Sequence, residues 1–414
     1  MFSKIRDKNI WIIYAAILIL GIAYGIAISL IALHLDARGF TKPQMGSLAS
    51  WFALGIVSLS LPMGWVIRRV SAKSTLVVCL AGYALTVSLF PALDSFAAIA
   101  WDRFFDGAFS VGIWVSCETI LLSRAERGIK AYVTSLYAVA IAIGYVVGPL
   151  AAHAIAGIWT IDRAFFVSGA LAAFATLFAF FLLDPDAHVP PGEGVTDTAS
   201  AASTPARPTG GAALFARAKT SCFATFSYGY FQSSVVLFLP LYLLESKGVA
   251  LERTIIIPFF FALGMLLFSN VAGRLGDLYG HLLVMRVLGA VGMCMVLGFV
   301  LLQSFAWMAL AVFIAGATLA SISPVSLALL GLVTEPRDYS RSNGIYNACY
   351  AAGMLVGPKV SSLLFARYGG GAMLLHLAAL WSAFVVFTMV HWNDDPAARG
   401  RREVVAARVK DVPT

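Results

Sequence analysis

Residues 137–149 read YAVAIAIGYVVGP and residues 346–358 read YNACYAAGMLVGP. Each stretch sets a tyrosine seven positions before a Gly-x-x-x-Gly-Pro step: Tyr137, Gly144, Gly148 and Pro149 in the first, Tyr346, Gly353, Gly357 and Pro358 in the second. The two stretches lie 209 positions apart. The same offset pairs Arg38-Gly39 with Lys247-Gly248, Phe52-Ala53-Leu54-Gly55 with Phe261-Ala262-Leu263-Gly264, Gly64 with Gly273, and Gly107 with Gly316. One offset held over so much of the chain marks an internal duplication, so the fold is read as one unit used twice.

Composition says what kind of unit this is. Of 414 residues, 60% are hydrophobic and only 12% charged. A soluble domain carries about twice that share of charge, which excludes a water-soluble enzyme, a DNA-binding protein and a disordered scaffold. The net charge of +8 would by itself suit nucleic acid, but its distribution serves membrane orientation instead. Twelve apolar stretches follow one another: 10–33, 44–67, 74–92, 96–122, 131–157, 163–183, 220–243, 254–273, 281–302, 305–333, 342–366 and 371–391. Most run about 19–27 residues, enough to cross a hydrocarbon core of about 30 Å as a helix. The first follows Lys4, Arg6 and Lys8 in the manner of a signal peptide, but it is too long and lacks a small-residue cleavage site. The expected fold is therefore an all-α membrane protein of 12 transmembrane helices in two six-helix bundles.

With the N-terminus inside and the crossings alternating, the internal segments hold 21 Lys and Arg and the external ones 6. The positive-inside rule then places both termini in the cytoplasm. Residues 184–219, rich in Pro, Gly, Ala, Ser and Thr, cannot bury enough apolar surface to fold and read as a cytoplasmic linker. It separates an N-terminal six-helix bundle, 1–183, from a C-terminal one, 220–391, with a cytoplasmic tail at 392–414. The tail's basic cluster at 399–410 either lies along anionic headgroups or is simply solvated. Six crossings is an even number, so the two copies share one membrane orientation and are related by an axis along the membrane normal. The five cysteines, Cys79, Cys117, Cys222, Cys294 and Cys349, fall in apolar runs without a CxxC pair or a nearby histidine cluster. That pattern points to packing, with no metal site and no cofactor.

At this point the chain resembles the major facilitator superfamily over about residues 10–391. The segment from Gly273 through Asp277 and Gly280 to His281 is similar to the family's G-x-L-x-D-x-x-G-[RK] loop, with His281 in the final basic position. The first copy, from Gly64 to Lys73, is degenerate: Arg68 stands at the acid position and Ser71 at the second glycine. The resemblance implies a conformational latch at Asp277, with the glycines allowing a tight turn; a plain turn is the alternative. Asp102-Arg103-Phe104-Phe105-Asp106-Gly107 resembles the R-x-x-x-G motif associated with proton coupling in antiporters. Gly144, Gly148 and Pro149 resemble the G-x-x-x-G-P motif of drug antiporters, and Gly353, Gly357 and Pro358 repeat it. Small-residue packing between helices is the alternative for both.

Helical spacing sharpens the fourth crossing. Arg103, Asp106, Ser110, Trp114, Cys117 and Glu118 fall at steps of three and four on one face. Ionic groups facing lipid cost several kcal/mol each, so the stripe is expected to face a water-filled cavity or a partner helix. Arg103 and Asp106 stand close enough to pair. While the guanidinium holds the carboxylate it stays ionised; once the pair parts in a dry site the carboxyl takes a proton, which makes a proton switch. Glu118 is a second candidate. Family architecture implies that crossings 1, 4, 7 and 10 line the cavity. Tyr14, Gly21, Tyr24 and Gly25, then Ser221, Thr225, Tyr228 and Gln232, then Thr318, Ser321 and Ser326 beside Pro324, offer aromatics and hydroxyls for a pocket there, or else ordinary helix contacts. Lys359 follows Pro358 where the first copy has Leu150, and Asn343, Tyr346, Asn347 and Tyr350 precede it on another face. Arg103 with Lys359 suits an anionic or zwitterionic substrate, unless Lys359 snorkels to the surface.

The leading functional expectation is a proton-coupled secondary transporter of small organic molecules, working as an efflux antiporter in the inner membrane. Its partners are a small-molecule substrate, protons and the lipid bilayer, without nucleic acid, and a monomer suffices. Uptake of an anionic metabolite is the alternative, and a non-transporting membrane sensor a third. No nucleotide loop, metal cluster or nucleophile constellation suggests an enzyme, and no catalytic residue is assigned.

Overall fold

A computed structural model describes residues 5, 7–125, 130–185, 210–335 and 338–395. Most of the expected linker (186–209) and the tail from 396 onward, including its basic cluster, lie outside the described residues.

The described residues are helical, with no strand among them. The elements are α1 (Lys8–Ala37), α2 (Lys42–Val70), α3 (Ala72–Leu89), α4 (Phe96–Arg124), α5 (Lys130–Ile158), α6 (Ile161–Leu182), α7 (Gly211–Lys247), a short α8 (Leu251–Ile255), α9 (Ile257–Tyr279), α10 (His281–Leu301), α11 (Phe305–Ala315), α12 (Ile322–Val333) and α13 (Tyr339–Val390). Polar residues set their starts. Asp7 accepts from the Asn9 amide at 2.8 Å at the head of α1, and Thr41 with Gln44 forms a capping box at α2. Ser71 and Ser95 cap α3 and α4 by accepting from the amides of Ser74 and Ala98. Each cap satisfies an amide that the first turn leaves open.

Among the described residues, ten helices are long and apolar enough to cross a membrane. The 29-residue α2 adds another candidate. Gly369, at φ +84°, divides α13 in two, a backbone conformation that favours glycine. The helices are thus consistent with the twelve expected stretches, and the break at Gly369 falls between the last two. A π-helical turn at Gly316–Ala320 joins α11 to α12. Its cause is Pro324, which has no amide to return to the Ala320 carbonyl, so the preceding turn widens.

The first compact unit comprises Met1–Thr196, Ser233–Leu263 and Leu355–Gly371. Within it α1 packs on α5 and α6, α2 on α4, and α3 on α4 and α6. Helix α1 is apolar all round and buries most of its length, as such a helix must. It meets α5 without side chains between them: a Cβ on Gly25 would come 2.8 Å from the Gly148 Cα, and one on Gly144 would come 2.6 Å from the Gly21 Cα. The Gly-x-x-x-Gly step therefore makes a close helix crossing. Phe166, Phe174, Leu177, Phe180 and Phe181 of α6 are exposed, an apolar surface suited to lipid.

The second compact unit comprises Asp197–Gln232, Gly264–Met354 and Ala372–Thr414. It repeats contacts of the first. A Cβ on Gly55 would strike the Phe104 carbonyl, and one on Gly264 would strike the Phe313 carbonyl, the same pair moved by the sequence offset. The seam of α1 with α5 recurs as α7 with α13, where Gly353 abuts Phe226 and Gly229 abuts Tyr350. The duplication read in the sequence is thus a duplication of helix contacts.

Candidate functional site

Helix α4 brings the central residues together, all within the first compact unit. Starting from its Ser95 cap, it carries Arg103 two turns in. The Arg103 guanidinium donates to the Asp106 carboxylate in an i, i+3 ion pair, with side chains 13% and 8% exposed. The same guanidinium stands 4.5 Å from the ring centroid of Phe52 on α2, a cation–π contact. Ser110, one turn on, donates to the Asp106 carbonyl at 2.6 Å and lies 3.4 Å from Asp106 Oδ1. Its hydroxyl is also hydrogen-bonded to that of Tyr24 on α1.

Rings close around this chain of polar groups. The Tyr24 ring centroid is 4.4 Å from that of Tyr83 on α3 and 6.5 Å from those of Trp114 on α4 and Tyr145 on α5. Gly25 and Gly144, the immediate neighbours of Tyr24 and Tyr145, let the two helices approach enough for this. Four helices thereby converge on one buried acid. Its carboxyl, the Ser110 hydroxyl and the Tyr24 hydroxyl form a continuous run of hydrogen-bonding groups.

Trp114 joins this group as expected from spacing. Glu118 does not: it is exposed, and among the described residues it makes no hydrogen bond or ion pair. Lys359 is exposed and donates to Ser47 of α2 at 2.6 Å. In the second unit, Tyr228 and Gln232 are brought together by Tyr350, which stacks with Tyr228 at 6.1 Å and donates to Gln232 Oε1 at 2.8 Å. Thr318 sits in the π turn and Ser321 just after it, 3.4 Å from Ser269. In the loop motif, Asp277 is exposed and lies 3.4 Å from His281 Nε2. Gly280 adopts φ +96° ahead of α10, while a Cβ on Gly273 would meet open space. Gly357 and Pro358 are buried in α13.

Three features escaped the sequence reading. Asp102, 7% exposed, has no hydrogen bond or ion pair among the described residues; its i, i+4 relation to Asp106 was a visible signal. Tyr83 and Tyr145 give no signal, because a tyrosine in an apolar run reads as packing. The third is a charge cluster in the first unit. Lys42 at the head of α2 pairs with Asp36 at 2.9 Å and with Glu245 of α7. Burial alone would pull the Lys42 ammonium down; the bonds to Glu245 and Asp36 outweigh it and hold it above its ordinary value. Nearby, Ser50 donates to the Leu355 carbonyl at 2.8 Å, and His153 Nδ1 lies 2.8 Å from the Glu252 carbonyl. These bonds fasten α2 and α5 to α7, α8 and α13.

Comparison with known proteins extends this picture. The family model for the Major Facilitator Superfamily matches residues 12–317 and 221–413. The chain is 23% identical over 394 residues to an uncharacterized MFS-type transporter, YfkF, of Bacillus subtilis (strain 168), covering 93% of this chain and 97% of that one. It is 24% identical over 397 residues to the MFS-type transporter YcaD of Shigella flexneri, covering 93% and 96%. Among solved structures it is similar in fold to the nucleoside transporter NupG, at a TM-score of 0.75 and 15% identity, covering 93% of this chain and 99% of that one. It is also similar to the human organic anion transporter MFSD10, at a TM-score of 0.65 and 14% identity, covering 92% and 98%.

Proposed function

The chain belongs to the major facilitator superfamily of multi-pass membrane transporters, and from that premise we propose that it is a proton-coupled exporter of small organic molecules. It works by alternating access, resides in a bacterial inner membrane, and keeps both termini in the cytoplasm. The observation that carries this reading is the buried Arg103–Asp106 pair continued through Ser110 to Tyr24. An ion pair inside a bilayer crossing is expensive to maintain. Its return is a carboxyl that changes protonation when Arg103 leaves it. The rings of Tyr24, Tyr83, Trp114 and Tyr145 suit a substrate with a flat apolar body. Asp102 and Glu118 supply further carboxyls on the same helix. The cluster of Lys42, Asp36 and Glu245, with the Lys359–Ser47 bond, closes the outer end in one access state. Asp277 and the glycine loop serve the cytoplasmic end.

Uptake of an organic anion is the second reading, favoured by the exposed Lys359 ammonium. The test is reconstitution in liposomes with an internal pH dye and an imposed proton gradient. Lipophilic cations that dissipate the gradient support export, and dissipation by organic anions alone supports the second reading. Flux indifferent to pH removes the proton role of Asp106. Arg103→Ala is expected to abolish coupled transport at near-normal expression; wild-type transport in that variant would reduce Arg103 to packing.

A further inference from the structure

Cys222 on α7 and Cys349 on α13 lie in the second compact unit. Cys222 is 2% exposed and packs with Ala218, Leu330 and Tyr346; Cys349 is partly exposed and lies against the same group. The two cysteines are thus neighbours in one apolar cluster. The backbone explains why they meet. Gly353 abuts the Phe226 carbonyl and Gly229 abuts the Tyr350 carbonyl, so α7 and α13 touch main chain to main chain. Cys222 and Cys349 each stand four residues before one member of the Phe226–Gly353 contact, one turn back along the same seam. The positions that correspond in the first copy are Ile13 and Ala140, so the pair is peculiar to the second.

We propose that Cys222 and Cys349 form a redox site that closes to a disulfide when a hydroperoxide reaches the membrane. The partly exposed Cys349 sulfur attacks the peroxide oxygen, the O–O bond breaks, and an alcohol leaves as Cys349 becomes a sulfenic acid. The Cys222 sulfur then displaces the hydroxyl, forming the S–S bond and releasing water, so that two thiols are oxidised and one peroxide reduced. Cys222 is the resolving partner because its burial shields it from the oxidant. A disulfide needs Cα atoms about 4.4–6.8 Å apart, a spacing compatible with helices in backbone contact. The product ties α7 to α13.

The test uses the full chain in detergent with the exposed Cys294 replaced by serine. After treatment with cumene hydroperoxide, intact mass and peptide mapping are expected to show the loss of two hydrogens and a Cys222–Cys349 cross-linked peptide. In Cys222→Ser, Cys349 is expected to stop at a sulfenic acid that dimedone traps. In Cys349→Ser, Cys222 stays unmodified. The proposal is overturned if Cys349 proceeds to sulfinic acid without linkage in the parent protein, if either cysteine links instead to another, or if Cys222 reacts as fast in Cys349→Ser as Cys349 does in Cys222→Ser.

Discussion

Replacing Arg103 by methionine keeps much of the side chain's length and apolar stem but leaves the Asp106 carboxyl in a site where its side chain is 8% exposed. Only Ser110 then remains to bond it, at 3.4 Å from Oδ1. Removing one member of a buried ion pair costs about 3–5 kcal/mol, whereas replacing both by apolar side chains of similar volume is often neutral or better. Arg103 is slightly more exposed, at 13%, and its contact with Phe52 is lost as well, so about 3 kcal/mol is the expected loss for Arg103→Met. The double variant Arg103→Met/Asp106→Leu is expected to recover most of it while remaining dead in transport. Unfolding of the purified protein in mixed micelles, followed by tryptophan fluorescence against rising denaturant, ranks the three proteins. If the single variant is as stable as the parent, the pair is not held out of water. A double variant no better than the single one would show that the site tolerates no apolar filling, and the argument from charge burial would fail.

Two other expectations follow from the backbone and the charge cluster. Ser71 holds φ +141° at the position that Gly280 occupies in the second copy, a region that costs a non-glycine residue about 1–3 kcal/mol. Ser71→Gly gives up a cap worth a few tenths of a kcal/mol and roughly 0.5–1 kcal/mol of chain entropy, leaving a net gain of about 1 kcal/mol, while Gly280→Ala loses about 1–3 kcal/mol. Thermal unfolding in detergent that moves both variants in one direction would refute the comparison. Lys42→Met removes a cation that is 18% exposed and shared by Asp36 and Glu245, at an expected cost of about 1–2 kcal/mol, between an exposed and a buried pair. Because the ammonium is held above its ordinary value, its contribution is complete below that value and fades only as the pH rises past it. The deficit of Lys42→Met should therefore be the same at pH 6 and pH 9, and a deficit that vanishes by pH 9 would contradict the pairing.

The fold was legible because lipid imposes a simple rule. Apolar stretches of crossing length, separated by charged turns, leave a helix as the economical structure, and the repeated glycines then show which helices touch. Gly369 could be anticipated from the Gly369-Gly370-Gly371 run beside Arg367. The site was legible only along one helix. Arg103, Asp106, Ser110 and Trp114 were placed by spacing, since residues three and four apart share a face. Glu118 shares the spacing yet stands apart from the cluster, because a stripe that long winds away from any one neighbour. What other helices contribute left no periodic trace: Tyr83 and Tyr145 reach Tyr24 through tertiary packing, and Lys42 meets Glu245 across 203 positions of sequence. The strain at Ser71 was half visible, as the one place where the duplicated loop lost its second glycine.

The bare seam between α1 and α5 has a mechanical corollary. With no side chain to act as a spacer or a bearing, the two rods are lashed into a single plank, and sliding one along the other would drive backbone into backbone. Tyr24 and Tyr145 stand beside the lashing points, so their separation is a fixed dimension of the ring cluster. Any loosening of that cluster has to be borne by α3 and α4, which supply Tyr83 and Trp114.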